Sequence, residues 1–232
     1  MGFRLRRVSC PECSFIAPAD GRRSLTMPLQ YHLCYITDRR GLAPLPLASH
    51  LRIAVQAGVD LIQLREKDLD SRELLSLAKS AVEFSRESDT RIVVNDRLDI
   101  ALTSGAHGVH LGGQSVPTNV VRRRVDKDFV IGVSCHSVED AVKAESDGAD
   151  YILLGHIFDT PSKREYGLPL GLNKLSEVAN RISIPVLALG GITVERVRPC
   201  LKAGARGIAA IRLFQECPSV ADRIHELREQ FV

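Results

Sequence analysis

The sequence predicts an α/β protein of the (β/α)8 TIM-barrel type, a single domain behind a short amino-terminal extension. Three observations point there. From Tyr31 onward, short β-rich apolar runs alternate with longer segments of helical period, the pattern of repeated βα units and a parallel sheet. Several runs are apolar on consecutive positions (Ile92-Val93-Val94, Tyr151-Ile152-Leu153-Leu154, Val186-Leu187-Ala188-Leu189), as strands covered on both faces should be, which excludes a half-exposed antiparallel sheet. A weak repeat also recurs, as Ala57-Gly58-Val59-Asp60, Gly105-Ala106-His107-Gly108, Gly148-Ala149-Asp150-Tyr151 and Gly204-Ala205-Arg206-Gly207. Each copy sets a glycine between a helical pattern and a strand, where it reads as a left-handed helix C-cap.

In chain order, residues 31–37 form the first run. The second, 59–64, ends at Arg65-Glu66-Lys67 and leads into a helical segment at 71–86. The third, 91–94, ends at Asn95-Asp96, and the fourth is 108–111. The fifth, 129–133, ends at Ser134-Cys135-His136 before a helix at 137–147. The sixth, 151–154, is followed by Gly155-His156 and then Thr160-Pro161-Ser162-Lys163, with a helix at 172–181. The seventh, 185–189, ends in Gly190-Gly191 ahead of a helix at 194–203; the eighth, 207–211, runs into Arg212 and a helix at 219–230. A doubly wound open sheet is the competing architecture, but no GxGxxG follows the first run.

Size and composition agree. At 232 residues and 25.5 kDa the chain suits a compact barrel, and 44% hydrophobic and 25% charged residues describe an ordinary soluble globular protein. No apolar run approaches the roughly 18 residues of a membrane span, and Arg4, Arg6 and Arg7 lack an apolar segment behind them, so a cytoplasmic protein without membrane partners is expected. Residues 1–26 carry five arginines against Glu12 and Asp20, a surplus that accounts for the net charge of +3 and leaves the remainder neutral. A neutral body argues against nucleic-acid binding. The extension, residues 1–26, reads as a disordered tail, or as upstream sequence read through from a start before Met27. Its Cys10 and Cys13 have half of a zinc-ribbon spacing, with no second pair to complete it. Cys34, Cys135, Cys200 and Cys217 fit reduced core thiols. A homodimer is allowed for but not dictated.

In such a barrel the chemistry sits at the carboxyl ends of the strands. There Arg65, Lys67, Lys163 and Arg212 place four cations on one face of a neutral body, which points to a phosphate or pyrophosphate substrate. Gly190-Gly191 before Thr193 offers backbone N–H groups where barrels of this kind seat phosphate, or is a tight turn only. Asp96 reads equally as a Mg2+ ligand or as a helix N-cap. His136 and His156 stand directly behind strands, where a neutral imidazole can move a proton near pH 7 or simply pack at the mouth.

These fragments, taken together, resemble the thiamine phosphate synthases and their sister group, the TenI-type thiazole tautomerases, over about residues 31 to 214. The likeness rests on Gln63-Leu64-Arg65-Glu66-Lys67, Asn95-Asp96-Arg97-Leu98-Asp99, Gly108-Val109-His110-Leu111-Gly112, Gly132-Val133-Ser134-Cys135-His136, Thr160-Pro161-Ser162-Lys163 and Gly190-Gly191-Ile192, in that order. The resemblance implies an enzyme that condenses hydroxymethylpyrimidine pyrophosphate with thiazole phosphate, giving thiamine phosphate and pyrophosphate. It implies that Gln63, Arg65, Lys67, Asn95 and Lys163 hold the pyrophosphate or pyrimidine and that Ser134 lies by the pyrimidine. It further implies that Asp96 and Ser115 bind Mg2+, and that Thr160, Ser162 and the Gly190-Gly191 backbone hold the thiazole phosphate.

The chain departs from the synthase pattern at three places. Gly113-Gln114-Ser115 stands where the synthases carry a second magnesium carboxylate, so metal affinity should fall. Arg212 stands where they carry a serine, and either supplements phosphate binding or blocks it. Gly155-His156-Ile157-Phe158 is similar to the tautomerase branch, in which the position of His136 is taken as the base. Charge-matched groups for two phosphoryl ligands are nevertheless kept, whereas tautomerisation needs only one, so the expected function is the synthase, with a metal-free tautomerase and a non-catalytic phosphate-ligand sensor as alternatives.

Overall fold

The computed structural model describes residues 31–42, 45–160 and 167–231. Eight parallel strands close into a barrel in sequence order. They are β1 (Leu33–Ile36), β2 (Leu61–Leu64), β3 (Arg91–Asn95), β4 (Gly108–Leu111), β5 (Val130–Cys135), β6 (Tyr151–Gly155), β7 (Val186–Leu189) and β8 (Gly207–Ala210). The seam between the last strand and the first is paired at Cys34 and Ala209. Between and after them lie α1 (Leu47–Gln56), α2 (Ser71–Ser85), α3 (Leu98–Ser104), α4 (Thr118–Arg122), α5 (Val138–Ser146), α6 (Gly171–Ala179), α7 (Val194–Lys202), α8 (Arg212–Gln215) and α9 (Val220–Arg228). None of the described helices is long and apolar enough to cross a membrane. Residues 1–26, with Cys10 and Cys13, lie outside the described residues.

The four repeated glycines, Gly58, Gly105, Gly148 and Gly204, all have positive φ, as a left-handed stop between helix and strand requires. Two of these repeats also carry aspartates that pin strand starts. Asp60 accepts the N–H groups of His32 and Leu33 at 3.0 and 2.7 Å and pairs with Arg228 at 2.6 Å. Asp150 does the same for Ile131 at 2.6 Å and for Arg122 at 2.5 Å.

Because a strand alternates faces, the barrel has two cores. The outer one packs strands against helices and includes Ile62, Leu64, Ile92, Val94, Val109, Leu111 and Ile131. The inner one fills the barrel with Cys34, Leu61, Val93, Val130, Tyr151, Leu153 and Leu187, among others. Each fully buried aliphatic side chain of this kind contributes about 1.5–3 kcal/mol. This parity decides where polar residues point. With Leu61 inward, Gln63 shares its face; with Val93 inward, so does Asn95; with Val130 inward, so does Ser134.

The expected runs all become strands, with ends shifted. The third extends to Asn95 and the fifth to Cys135, so Asn95 and Ser134 belong to the strands themselves and not to the turns after them. The cysteines Cys34, Cys135 and Cys200 are buried free thiols, and burial pushes Cys135 up to about 12.

Candidate active site

At the carboxyl end of β2 and β3 the inward side chains form a hydrogen-bonded row. Gln63 Nε2 donates to Asn95 Oδ1 at 2.8 Å, and Asn95 Nδ2 donates to Asp96 Oδ2 at 2.6 Å. Ser115 Oγ donates to Asp96 Oδ1, and the Gly112 N–H donates to Ser115 Oγ at 2.6 Å. Gln63 is 2% exposed, and its Oε1 is a buried acceptor with no partner among the described residues. A buried acceptor left unmet is costly, so this atom is poised for a donor on a ligand.

Asp96 has a φ of 61°, in the left-handed region that Asp tolerates better than most side chains but which still costs about 1–3 kcal/mol. It is not a helix cap: the N-cap of α3 is Arg97, without a side-chain capping bond. Its carboxylate instead faces Ser115 and Asn95 in the mouth. Among the described residues no three His, Cys, Asp or Glu side chains gather as metal ligands. One carboxylate and one hydroxyl nevertheless fit Mg2+, which keeps most of its waters and takes further oxygens from a substrate phosphate.

The three residues of Arg65-Glu66-Lys67 do different things. Glu66, 5% exposed, turns sideways and accepts the Arg39 N–H at 3.1 Å, which fastens the turn after β1. Arg65 is half-buried, its backbone N–H bound to Thr37 Oγ1 at 2.9 Å, and no side chain among the described residues forms an ion pair with its guanidinium. Lys67 is exposed and, with Asn95 and Asp96, lines a cavity of about 260 Å3. A larger groove of about 510 Å3 lies outside the barrel between α1 and α2 and contains none of the candidate residues.

Across the mouth, two loops are welded together at Gly190 and Gly191. Both have positive φ, 95° and 64°. A Cβ on Gly190 would sit 2.4 Å from His156 Cβ, and one on Gly191 would sit 2.7 Å from the Asp159 carbonyl oxygen. The buried His156 is therefore packing beneath the turn. Neither glycine donates its N–H to a described residue, whereas the Gly190 carbonyl accepts from the Phe158 N–H at 3.1 Å. Beside this turn, Arg212 Nη2 donates to the buried Thr160 Oγ1 at 3.0 Å, bridging the ends of β6 and β8. Ser162 and Lys163 fall in residues 161–166, outside the described residues.

His136 is exposed at the end of β5, and its Nδ1 lies 2.5 Å from the Gly155 carbonyl oxygen. A carbonyl only accepts, so Nδ1 carries a hydrogen, which leaves Nε2 as the ring's free position.

Inspection of strand ends misses one residue. His110, in the middle of β4 and 1% exposed, faces the barrel interior, with Nδ1 3.1 Å from Tyr151 Oη and Nε2 2.9 Å from Ser134 Oγ. The available signal was a lone polar residue between Val109 and Leu111, at the inward parity of a run apolar on its other face. Burial lowers its pKa to about 3. In the unfolded chain it titrates near the ordinary value of about 6.5, so below that pH the unfolded state takes up a proton that the folded state refuses. The folded state thus holds its full advantage above about pH 6.5 and loses it as pH falls toward 3, by up to about 1.4 kcal/mol per unit. Urea unfolding across this range should show a shallower decline for His110→Gln than for the parent; an unchanged slope contradicts this.

A model of the family described as "Thiamine monophosphate synthase" matches residues 33–214. The chain belongs to the thiamine monophosphate synthase family. Members similar to it include the thiamine-phosphate synthase of Clostridium botulinum strain Hall, 40% identical over 185 residues that cover 80% of this chain and 90% of that one. The thiamine-phosphate synthase of Roseiflexus castenholzii is 40% identical over 176 residues, covering 76% and 77%. Among solved structures, a thiamine phosphate pyrophosphorylase from Pyrococcus furiosus superposes with a TM-score of 0.79 at 35% identity, covering 88% of this chain and 96% of that one. The family model ends at Phe214, so the Gln63–Ser115 row, Ser134, the Gly190-Gly191 turn and Arg212 all lie within it.

Proposed function

We propose that the protein is a thiamine-phosphate synthase, a cytoplasmic Mg2+-dependent transferase that joins hydroxymethylpyrimidine pyrophosphate to thiazole phosphate. The observation that carries this reading is the hydrogen-bonded row Gln63–Asn95–Asp96–Ser115 beside Arg65, which has no ion-pair partner among the described residues, on a chain of this family. A cation without a carboxylate partner next to a vacant buried acceptor suits a ligand that is anionic at one end and has N–H donors at the other.

In this reading Arg65, Lys67 and Lys163 meet the pyrophosphate, while Gln63 Oε1 and Asn95 orient the aminopyrimidine and Ser134 lies against its ring. Thr160, Ser162, Arg212 and the bare N–H groups of Gly190 and Gly191 hold the thiazole phosphate. The bond between the pyrimidine methylene and the pyrophosphate oxygen breaks, its electron pair leaving on pyrophosphate. The thiazole nitrogen supplies the pair for the new carbon–nitrogen bond. Arg65 and Lys67 act where negative charge grows, which lowers the barrier more than it stabilises the bound substrate. Asp96 and Ser115 would hold Mg2+, which when bound neutralises further charge on the departing pyrophosphate.

Purified protein given both substrates and Mg2+ is expected to form thiamine phosphate; no product at saturating Mg2+ ends this reading. The exposed His136, its ring held by Nδ1 against the Gly155 carbonyl, favours a second one, metal-free tautomerisation of a thiazole carboxylate phosphate, which His136→Asn should abolish. A phosphate-ligand sensor would bind in calorimetry and turn over in neither assay.

Arg212 gives a separate expectation. Its bond to Thr160 supports a guanidinium contact with the thiazole phosphate, so Arg212→Ser should raise the KM for thiazole phosphate about tenfold with little change in kcat. A lowered KM would mean that Arg212 obstructs the seat.

A further inference from the structure

We propose that Tyr151 and His110 are positioning residues that hold Ser134 as a hydrogen-bond donor toward the barrel mouth, so that the substrate group seated against Ser134 must present an acceptor atom. The inference rests on the reading of Ser134 as a substrate contact, and it concerns the direction of that contact.

The geometry is a buried line across three strands. Tyr151 on β6 is fully buried, and the only hydrogen-bond partner of its Oη among the described residues is His110 Nδ1, at 3.1 Å. His110 Nε2 on β4 then reaches Ser134 Oγ on β5 at 2.9 Å. Gly132 makes the line possible, since a Cβ there would lie 2.1 Å from Tyr151 Cζ and 2.3 Å from its Oη. Tyr31 packs against the Tyr151 ring at 5.2 Å between centroids, but its own buried hydroxyl makes no hydrogen bond among the described residues, to Tyr151 or to any other.

Counting protons along this line fixes its polarity. His110 lies 1% exposed between the Tyr151 and Ser134 hydroxyls, with no carboxylate hydrogen-bonded to its ring among the described residues, an environment that holds a neutral imidazole, and the fully buried Tyr151 keeps its phenolic hydrogen. Two ring nitrogens therefore share one hydrogen. If Nδ1 carried it, the Tyr151 hydrogen would have to turn away into an apolar interior with no acceptor. If Tyr151 donates to Nδ1, the imidazole hydrogen sits on Nε2 and is donated to Ser134 Oγ, and every member is satisfied. The hydrogen of Ser134 then cannot point at His110. It is left for the mouth, where Ser134 is part-exposed.

The wild-type protein, labelled with 15N at histidine, tests this through the long-range proton–nitrogen pattern that distinguishes the neutral imidazole tautomers. Among the seven histidines, the signal removed by His110→Gln should show the Nε2-protonated form. Tyr151→Phe should mix the tautomers and lower kcat about three- to tenfold while KM for the pyrimidine substrate stays within about twofold. His110→Gln, which keeps a donor near the Nε2 position, should retain more activity than His110→Ala. An Nδ1-protonated His110 in the wild type overturns the proposal, as does a Tyr151→Phe variant with unchanged tautomer and kcat. The spectrum does not depend on turnover, so a protein that fails the synthase assay but shows the Nε2 tautomer rejects the function and leaves the polarity of the relay standing.

Discussion

Arg65→Ala is expected to lower the kcat for thiamine phosphate formation by about a hundred- to a thousandfold, the effect of removing one preorganised donor aimed at developing charge. The physical case rests on what Arg65 lacks. Its backbone is fixed by Thr37, yet no carboxylate among the described residues neutralises its guanidinium, while neighbouring Arg39 and Arg40 are both paired with Asp68. A half-buried cation left unpaired at a strand end is poorly explained by stability. The unfolding midpoint of Arg65→Ala should therefore stay within about 0.5 kcal/mol of the parent. Arg65→Lys keeps the charge and loses the planar fork, so its rate should fall between the two. A steady-state assay beside urea melts separates the outcomes: loss of activity together with loss of fold would make Arg65 structural.

Gly190→Ala should be damaging for the opposite reason, because the space and the backbone both refuse a side chain. The added Cβ would lie 2.4 Å from His156 Cβ and 2.8 Å from its Cα, and the residue would sit at a φ of 95°. Strain of about 1–3 kcal/mol, with overpacking of a similar size, should appear in the melting curve. The turn also presents two N–H groups that no described residue accepts, so the KM for thiazole phosphate should rise at least about tenfold even where the protein remains folded. A variant with parental stability and KM would show that the turn neither packs as described nor holds the phosphate.

The barrel itself was legible because strands covered on both faces are apolar without interruption, and because the glycine stops repeat. The ends of β3 and β5 were not. Asn95 and Ser134 are polar, so the hydrophobic run in the sequence stops before each, yet both remain in register, paired with His110 and Leu153. Inside a barrel mouth, inward polar groups are met by one another and by ligand, which a pattern of apolar residues does not record. The short helices α3, α4 and α8, at seven, five and four residues, fall below the length at which a helical period can be read.

The site was legible as a set of strand ends and not as contacts. Arg65, Glu66 and Lys67 are consecutive, but only the structure separates a buried carboxylate that ties down the β1 turn from two cations in the mouth. The choice between cap and metal ligand at Asp96 depended on a left-handed backbone that Asp adopts without a sequence mark. The Arg212–Thr160 bridge spans 52 residues, and the Tyr151–His110–Ser134 line crosses three strands, so neither has a local signature.

The most direct test of the central claim is a crystal structure of the protein with Mg2+, thiamine phosphate and pyrophosphate. The account predicts pyrophosphate against Arg65, Lys67 and Asn95, with the metal at Asp96 and Ser115, and the thiamine phosphate group against Thr160, Arg212 and the Gly190-Gly191 N–H groups. Density for these ligands in the outer groove between α1 and α2, with the mouth holding only water, would contradict it.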